Sequence, residues 1–322
     1  MLKVLITDMR HSSIAQEKAV LEPAGVTLDT TFSETEDALI AHGQGAIGFL
    51  VSYAPVTRKV MEALPELKII VKYGIGVDNI DLRAAQDLGK YVANVPEFCT
   101  EEVALHALSL ITTGLRMTHY FGGEVKRHRW IEDPTTEAID RPSLLRFGLA
   151  GFGKIARQLA TYMEHIVGEI AYVDPYLPQE AVQAIPYTRV ETLQQLFAQC
   201  QIVSLHTPLT EETRHLIDQD VLAHGRDLIL VNTSRGGVIE KYALAQALEA
   251  GQVKFFGTDV YWEEPADFAD PWNIDFLQRK DVYVTPHVAA YSRASEQELR
   301  RKAAEEVLRV IQGQPPLHLV KG

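Results

Sequence analysis

Residues 147–156 read FGLAGFGKIA, an apolar run that passes into a Gly-x-Gly-x-x-Ala turn and then into a helical pattern. In a dinucleotide-binding turn, Gly151 permits the tight bend and Gly153 lets the backbone approach a pyrophosphate. The small Ala156 would let the helix pack closely on the strand. A glycine pattern alone is a weak indicator, because glycine-rich turns also close ordinary hairpins.

A carboxylate follows this turn at the spacing that a dinucleotide fold requires. The next predicted strand ends in Tyr172-Val173-Asp174-Pro175, and Asp174 lies about 20 residues beyond the turn, where the adenosine ribose 2′-hydroxyl is bound. A carboxylate there would repel a 2′-phosphate, so the sequence favours NAD over NADP. The alternative is that Asp174 merely ends a strand before a turn-forming proline.

On both sides of the turn, short β-rich runs alternate with helical patterns, which predicts parallel sheets covered by helices on both faces. A first series has predicted strands at 2–7, 46–51, 68–72 and 91–93. A second series of six begins at Phe147, the number in a complete Rossmann sheet. Residues 100–120 are predicted to form one helix, residues 122–143 a linker or arm, and residues 295–311 a last helix that joins neither series by pattern. The predicted class is α/β, with two Rossmann/flavodoxin-like, doubly wound parallel-sheet domains.

The composition excludes several classes of protein. The chain has 322 residues and a net charge of −12, which disfavours nucleic acid as a partner. No apolar run reaches the roughly 18 residues that cross a bilayer, and the first ten residues lack a signal peptide's apolar region, so a cytoplasmic protein with no membrane partner is expected. Cys99 and Cys200 are too far apart in sequence for a disulfide framework, and no spacing of ligands suggests a metal.

Three polar segments, at 232–237, 259–265 and 285–289, each follow a predicted strand of the second series. They contain Arg235, Glu264 and His287, and the carboxyl ends of strands are where open α/β sheets bind ligands. Arg235 could hold a substrate carboxylate and polarise a keto oxygen, while His287 takes the hydroxyl proton as hydride leaves the neighbouring carbon. Glu264 would orient the imidazole and raise its affinity for a proton.

With these residues in place, the chain resembles the D-isomer specific 2-hydroxyacid dehydrogenases. That family includes phosphoglycerate dehydrogenase, D-lactate dehydrogenase, glyoxylate/hydroxypyruvate reductase and the C-terminal-binding-protein corepressors. The motifs occur in order over essentially the whole chain: YGIGVDNID at 73–81, NVP at 94–96, the glycine turn, LHTPLT at 205–210 and the three polar segments.

The resemblance implies that a cofactor domain, residues 101–290, is inserted into a substrate domain made of residues 1–100 and 291–322. It implies a catalytic set of Arg235, Glu264 and His287, NAD as cofactor, and a small 2-hydroxy or 2-oxo acid as substrate. By analogy, residues 122–143 form the arm of a homodimer.

The resemblance also implies the ligand contacts. The implied substrate residues are Ser52, Tyr53, Tyr73, Gly74, Ile75, Gly76, Arg235 and His287, with the backbone amides of Ile75 and Gly76 gripping the substrate carboxylate. The implied cofactor residues are Gly151, Phe152, Gly153, Lys154, Ile155, Asp174, Pro175, His206, Thr207, Thr213, Thr233, Ser234, Arg235, Asp259, His287 and Ala289. Asp259 would bind the nicotinamide carboxamide or stabilise the charged ring. His206 is interpreted as a cleft residue without a chemical role, and His106 and His119 as packing or hinge residues.

Departures from the family pattern bear on the substrate. No cation occurs between residues 45 and 57, where phosphoglycerate dehydrogenases place an arginine, so a phosphorylated substrate is disfavoured. Leu105 replaces a usual glutamate, and Ala290 replaces a tryptophan of the corepressor-like branch, which indicates a roomier pocket. Arg10 could read a second polar group on the substrate, although a solvated loop is the preferred interpretation. Because the sequence ends at Gly322, the C-terminal regulatory domain of longer phosphoglycerate dehydrogenases is not expected.

The leading hypothesis is an NAD-dependent oxidoreductase that interconverts an unphosphorylated D-2-hydroxy acid and its 2-oxo acid. The alternatives are an NAD(H)-sensing, corepressor-like interaction protein, or an enzyme similar to phosphoglycerate dehydrogenase or phosphite dehydrogenase. A formate dehydrogenase is disfavoured, since those enzymes pair their histidine with glutamine and this chain has Glu264.

Overall fold

The computed structural model describes residues 2–9, 13–134 and 139–321. Arg10 lies outside the described residues, so the role considered for it stays a prediction. Backbone contacts divide the chain into two compact units. Unit 1 comprises Met1–Cys99 and Tyr291–Gly322, and unit 2 comprises Thr100–Ala290. Within the described ranges, we find no helix that combines the length and the apolar character needed to span a membrane.

Unit 1 is a five-stranded parallel sheet flanked by helices, in the order β2-β1-β3-β4-β5. Its central strands β3 and β4 are almost wholly apolar and buried, as expected when helices cover both faces of a sheet. The last helix, α13, packs on α1 and β4, so the end of the chain returns to the first unit. The elements are β1 Leu2–Ile6, α1 Ala15–Leu21, β2 Val26–Thr30, α2 Glu36–His42, β3 Ala46–Val51, α3 Arg58–Ala63, β4 Ile69–Lys72, α4 Leu82–Asp87, β5 Tyr91–Ala93 and α13 Arg293–Ile311.

Unit 2 is a seven-stranded parallel sheet in the order β12-β11-β10-β9-β6-β7-β8. The strand order reverses between β6 and β9, and in doubly wound sheets the crevice at such a switch point binds the ligand. The elements are α5 Thr100–Arg116, α6 Thr118–Lys126, β6 Arg146–Ala150, α7 Lys154–Met163, β7 Glu169–Val173, α8 Gln179–Gln183, β8 Thr188–Arg189, α9 Leu193–Gln199, β9 Ile202–Leu205, α10 Gln219–Ala223, β10 Leu228–Asn232, α11 Lys241–Glu249, β11 Val253–Thr258, α12 Pro271–Leu277 and β12 Val282–Val284.

The α/β class is confirmed, and three details of the prediction are wrong. The first sheet has a fifth strand that the prediction lacked, because β2 pairs with β1 at the edge of the sheet. The second sheet has a seventh strand, because the two-residue β8 pairs with β7 at the edge. The single helix predicted over 100–120 is two helices, because Met117 adopts a left-handed φ of 49° and breaks the helix between α5 and α6. Helix α6 then continues to Lys126, into the segment predicted to be a linker or arm.

Candidate active site

The glycine turn of unit 2 joins β6 to α7, and its two glycines differ in what surrounds them. Gly151 has a φ of +88°, and a Cβ built on it would lie 2.7 Å from the His206 carbonyl oxygen, so the turn requires glycine. A Cβ on Gly153 would meet nothing within 4 Å. The open space at Gly153, at the start of the ten-residue helix α7, fits a bound pyrophosphate.

Asp174 ends β7 beside this turn and is hydrogen-bonded to it. Its Oδ2 accepts the Phe152 N–H at 2.8 Å and its Oδ1 accepts the Tyr176 N–H at 2.9 Å. The carboxylate therefore lies at the glycine turn, as binding of an adenosine ribose requires. The ring of Phe152, a predicted cofactor residue, is buried with its centroid 4.5 Å from that of Tyr172, so only its backbone is available to a ligand. Pro175 is exposed next to Asp174.

Thr207 and Thr233 are two predicted cofactor residues with buried hydroxyl groups at the carboxyl edge of the sheet. They follow β9 and β10, and among the described residues both Oγ1 atoms are buried without a partner. A buried hydroxyl without a partner costs about 1–3 kcal/mol. Such atoms at the carboxyl edge of the sheet fit a site that a polar ligand completes.

Two other predicted cofactor residues use their hydroxyl groups within the protein. Thr213 Oγ1 donates to the Pro208 carbonyl at 2.5 Å, and Ser234 Oγ donates to Asn232 Oδ1 at 2.7 Å. These bonds close the local turns. The structure therefore gives both residues a role in shaping loops at the sheet edge, which their residue types alone did not indicate.

His206 lies at the end of β9 with its Nε2 2.9 Å from Ser204 Oγ. Burial lowers the pKa of His206 to about 4, because desolvation disfavours the charged imidazolium. The ring is therefore neutral at neutral pH, and its role as a cleft residue stays a prediction.

His287 and Glu264 form the closest acid–base contact in this region. His287 Nδ1 lies 2.5 Å from Glu264 Oε2, and Glu264 Oε1 accepts the Tyr261 N–H at 2.9 Å. Partial burial favours the protonated form of the Glu264 carboxyl and is the largest single effect. It is outweighed by the hydrogen bond and charge of His287, together with the Tyr261 N–H and the charge of Arg235. The net result is that the pKa of Glu264 lies below its usual value.

Asp259 holds the loop that carries His287. Its Oδ1 accepts the Thr285 hydroxyl at 2.6 Å and the Val288 N–H at 3.0 Å, and its Oδ2 accepts the Ala289 N–H at 2.7 Å. The His287 N–H donates to the Asp259 carbonyl at 2.8 Å. His287 has a left-handed φ of 54°, which is unfavourable for a non-glycine residue and persists where surrounding contacts enforce it.

His106, on α5, belongs to the same network. Its Nε2 lies 2.9 Å from Thr285 Oγ1 and 3.5 Å from Asp259 Oδ1. The sequence predicts only a packing or hinge role for His106. The position of His106 beside the buried face of α5 could have indicated a packing contact. The helical pattern does not identify Thr285, at the end of β12, as the partner.

Arg235 follows β10 and is brought to the Glu264 segment by close backbone packing. A Cβ on Gly236 would lie 2.2 Å from the Tyr261 carbonyl oxygen, so glycine allows the two loops to touch. Arg235 Nη1 donates to the Ser234 carbonyl at 2.7 Å, and Asn232 Nδ2 donates to the Arg235 carbonyl at 2.9 Å. The predicted guanidinium, carboxylate and imidazole thus belong to adjoining loops of one sheet edge.

Apart from Tyr73, which directly follows β4, the predicted substrate residues of unit 1 lie in the 52–54 loop after β3 and the 74–76 loop after β4. The 74–76 loop is fixed through its carbonyl groups, since Asn94 Nδ2 donates to the Ile75 oxygen at 2.6 Å and the Val95 N–H donates to the Gly74 oxygen at 3.0 Å. Gly74 has a φ of +147°, which glycine adopts readily.

Tyr73 uses its hydroxyl inside unit 1. It donates to Glu17 Oε1 at 2.8 Å, and Arg300 Nε donates to the same oxygen at 3.2 Å. Desolvation, with the charge and hydrogen bond of Glu17, raises the pKa of Tyr73 well above its usual value. The phenol therefore stays protonated and anchors the residue that precedes the 74–76 loop.

Lys72, at the end of β4, supplies a cation that the sequence of residues 45–57 lacks. Its Nζ donates to the Ser52 carbonyl and, at 2.8 Å, to Asn79 Oδ1, and it lies 5.3 Å from the centre of the Tyr53 ring. Lys72 lies outside residues 45–57 because it belongs to β4, the neighbour of β3 in the sheet.

Comparison with known proteins identifies the family. The model for the D-isomer specific 2-hydroxyacid dehydrogenase, NAD binding domain, matches residues 108–289. A D-3-phosphoglycerate dehydrogenase of Methanocaldococcus jannaschii is 30% identical over 315 residues, covering 98% of this chain and 58% of that protein. A glyoxylate reductase of Korarchaeum cryptofilum is 31% identical over 275 residues, covering 83% of this chain and 80% of that protein.

A solved structure supports the same relationship. A glyoxylate reductase from Paecilomyes thermophila has a TM-score of 0.87 and 25% identity, covering 99% of this chain and 98% of its own. The chain spans little more than half the length of the Methanocaldococcus relative. Residues 108–289 form an NAD-binding domain, and the chain belongs to the D-isomer specific 2-hydroxyacid dehydrogenase family.

Proposed function

We propose that the chain is an NAD-dependent oxidoreductase that interconverts an unphosphorylated D-2-hydroxy acid and its 2-oxo acid. The observation that carries the proposal is the His287–Glu264 pair at 2.5 Å, adjoining the Arg235 loop at the carboxyl edge of the NAD-binding sheet. The glycine turn, Asp174 and the Thr207 and Thr233 hydroxyls would hold the cofactor. When bound, NAD supplies the hydride donor or acceptor.

In this proposal, His287 moves the proton. Glu264 accepts the Nδ1–H, which fixes the tautomer and leaves Nε2 to exchange a proton with the substrate oxygen. During reduction Nε2 protonates the keto oxygen, and during oxidation it takes the proton of the hydroxyl. The ionised Glu264 stabilises the imidazolium in both directions.

Arg235 and the 74–76 loop would bind the substrate. The Arg235 guanidinium offers a planar fork of donors for the carboxylate and the keto oxygen. The backbone N–H groups of Ile75 and Gly76 would bind the carboxylate, and the bonds that fix the 74–76 loop through its carbonyl groups favour a preformed anion site.

The choice of an unphosphorylated substrate rests on the partners of Lys72. Its ammonium already donates to the Ser52 carbonyl and Asn79 Oδ1, so two of its three N–H donors are used within unit 1. A phosphate binds best to an arginine fork or to unengaged donors.

A substrate panel tests the proposal. NADH oxidation is measured with glyoxylate, pyruvate, hydroxypyruvate, phenylpyruvate, branched and sugar-derived 2-oxo acids and phosphohydroxypyruvate, with NADPH in parallel. We expect turnover of an unphosphorylated acid with NADH. Phosphohydroxypyruvate as the best substrate would favour the phosphoglycerate dehydrogenase alternative, and NADH binding without turnover would favour the sensor.

We also propose a homodimer and a cytoplasmic location. Apolar side chains in and beside the predicted arm support the dimer, since Trp130 is 80% and Leu144 is 79% exposed. Cys99 and Cys200 are buried as thiols, which suits a reducing compartment. Light scattering of the purified chain, with Trp130→Ser as the variant, tests the dimer.

A further inference from the structure

The 52–54 loop of unit 1 directs three successive backbone N–H groups at one carboxylate, that of Asp8. Asp8 Oδ1 accepts the Ser52 N–H at 2.8 Å, and Oδ2 accepts the N–H groups of Tyr53 and, at 3.1 Å, Ala54. The Thr7 hydroxyl adds a fourth donor, 2.7 Å from Oδ1. Asp8 is 1% exposed.

The sheet explains how this contact arises. Strands β1 and β3 are parallel neighbours, and the Thr7 N–H donates to the Leu50 carbonyl at 3.0 Å. Asp8 is the second residue after β1, so its side chain reaches the loop that leaves β3 at the same edge. No motif in the sequence joins Asp8 to a loop more than 40 residues away.

Successive backbone N–H groups that converge on one point form an anion-binding nest, which in many proteins holds a phosphate or carboxylate ligand. Here a carboxylate of the protein occupies that position. A buried carboxylate is stable only when donors compensate for its desolvation, and the three amides and the Thr7 hydroxyl supply them.

We propose that Asp8 is a positioning and specificity residue whose carboxylate acts as an internal ligand of the 52–54 loop. It fixes the backbone of Ser52 and Tyr53, and it denies their amides to an anionic substituent of a substrate. The specificity part rests on the proposed function and on the family resemblance, which implies Ser52 and Tyr53 as substrate contacts. The occupied nest itself does not depend on that function.

The proposal predicts that an added carboxylate replaces the missing one. Asp8→Ala removes the carboxylate and leaves the three N–H groups and the Thr7 hydroxyl without this acceptor, around a small space into which formate brings the same functional group. Asp8→Asn keeps the size of the side chain. The NH₂ group of the asparagine would face a backbone N–H donor, from which it cannot accept a hydrogen bond. Thr35→Ala is the control, because it removes the N-cap of α2 in the same unit without touching the 52–54 loop.

The first measurement is the melting temperature of the full chain with increasing sodium formate, against sodium chloride at equal ionic strength. We expect formate to raise the Tm of Asp8→Ala, since a ligand that binds only the folded state stabilises it. The Tm of the wild type and of Thr35→Ala should respond to the two salts alike. A folded Asp8→Ala protein whose Tm is the same in formate as in chloride would overturn the proposal.

The second measurement compares the KM for the best 2-oxo acid with the KM for an analogue that carries a second carboxylate. Asp8→Asn removes the charge that occupies the amides of Ser52 and Tyr53, so the KM for the analogue should fall about tenfold or more relative to that for the parent acid, the factor expected for a charge-assisted hydrogen bond. An unchanged ratio of the two KM values would overturn the specificity role, also if Asp8→Ala does not fold. If the wild type reduces no 2-oxo acid, the proposed function fails, while the formate response still decides whether the nest exists.

Discussion

His287 Nδ1 and Glu264 Oε2 lie 2.5 Å apart, although the two residues follow different strands of the NAD-binding sheet. Both loops have further supports, because Glu264 accepts the Tyr261 N–H and the Asp259 carbonyl accepts the His287 N–H. His287 is thereby held through its ring and through its backbone N–H group. This double support preorganises the histidine before any substrate arrives.

Replacing Glu264 by glutamine should remove a pH-dependent part of the stability. The pKa of Glu264 is lowered in the folded chain, so its charge stabilises the fold above the usual glutamate pKa of about 4.3, and this contribution is lost as the pH falls through the lowered value. We expect wild type to exceed Glu264→Gln in free energy of unfolding at neutral pH, with a smaller gap in acid. Urea titrations at both pH values measure this difference in free energy of unfolding. An equal difference at both pH values would contradict a lowered pKa of Glu264.

The two glycines of the turn should respond differently to alanine. Gly153→Ala meets no atom within 4 Å, so the free energy of unfolding should stay constant or rise by up to about 1 kcal/mol. The dissociation constant of the Gly153→Ala variant for NADH should increase about tenfold or more, because the added methyl group fills the space for the pyrophosphate. Gly151→Ala should instead destabilise the fold by more than about 1 kcal/mol. Wild-type affinity in Gly153→Ala would argue against a pyrophosphate at this turn.

Thr233→Val should separate cofactor binding from stability. The Thr233 hydroxyl is buried without a partner among the described residues, so its removal should not lower the free energy of unfolding of the cofactor-free protein. NADH titration should show weaker binding. The matched control is Thr258→Val, which breaks bonds to Asn232 and Val260 and should destabilise the fold. Unchanged NADH affinity in Thr233→Val would remove this hydroxyl from the cofactor site.

Asp174→Asn should relax the preference for NADH. The asparagine oxygen can still accept the Phe152 N–H, so the turn stays in place while the charge that repels a 2′-phosphate is lost. We expect the ratio of kcat/KM for NADPH to that for NADH to rise about tenfold or more. Equal use of both cofactors by the wild type would contradict the role of Asp174.

The parts of the site that the sequence predicted are those set by short-range patterns. Each of these parts directly follows a strand: the glycine turn, Asp174 and the three polar segments. Because the carboxyl ends of parallel strands lie at one edge of the sheet, these parts come together there whatever the exact twist of the sheet. The same logic located Arg235, Glu264 and His287.

What the sequence did not reveal depends on contacts between distant segments. Asp8 reaches the 52–54 loop, and Lys72 reaches Ser52, only because their strands neighbour β3 in the sheet. His106 meets Thr285 across 179 positions. Thr213 and Phe152 illustrate the converse, since a residue type suited to a ligand can be used by the protein's own turn or core.

The proton-transfer role of His287 is tested by comparing wild type with His287→Ala in NADH oxidation by the best 2-oxo acid, together with NADH binding measured by fluorescence. We predict that kcat falls by about 10²- to 10⁴-fold in the variant, the usual contribution of a general acid, while the dissociation constant for NADH stays close to that of wild type. A His287→Ala protein that reduces the 2-oxo acid at the wild-type rate would contradict this role of His287.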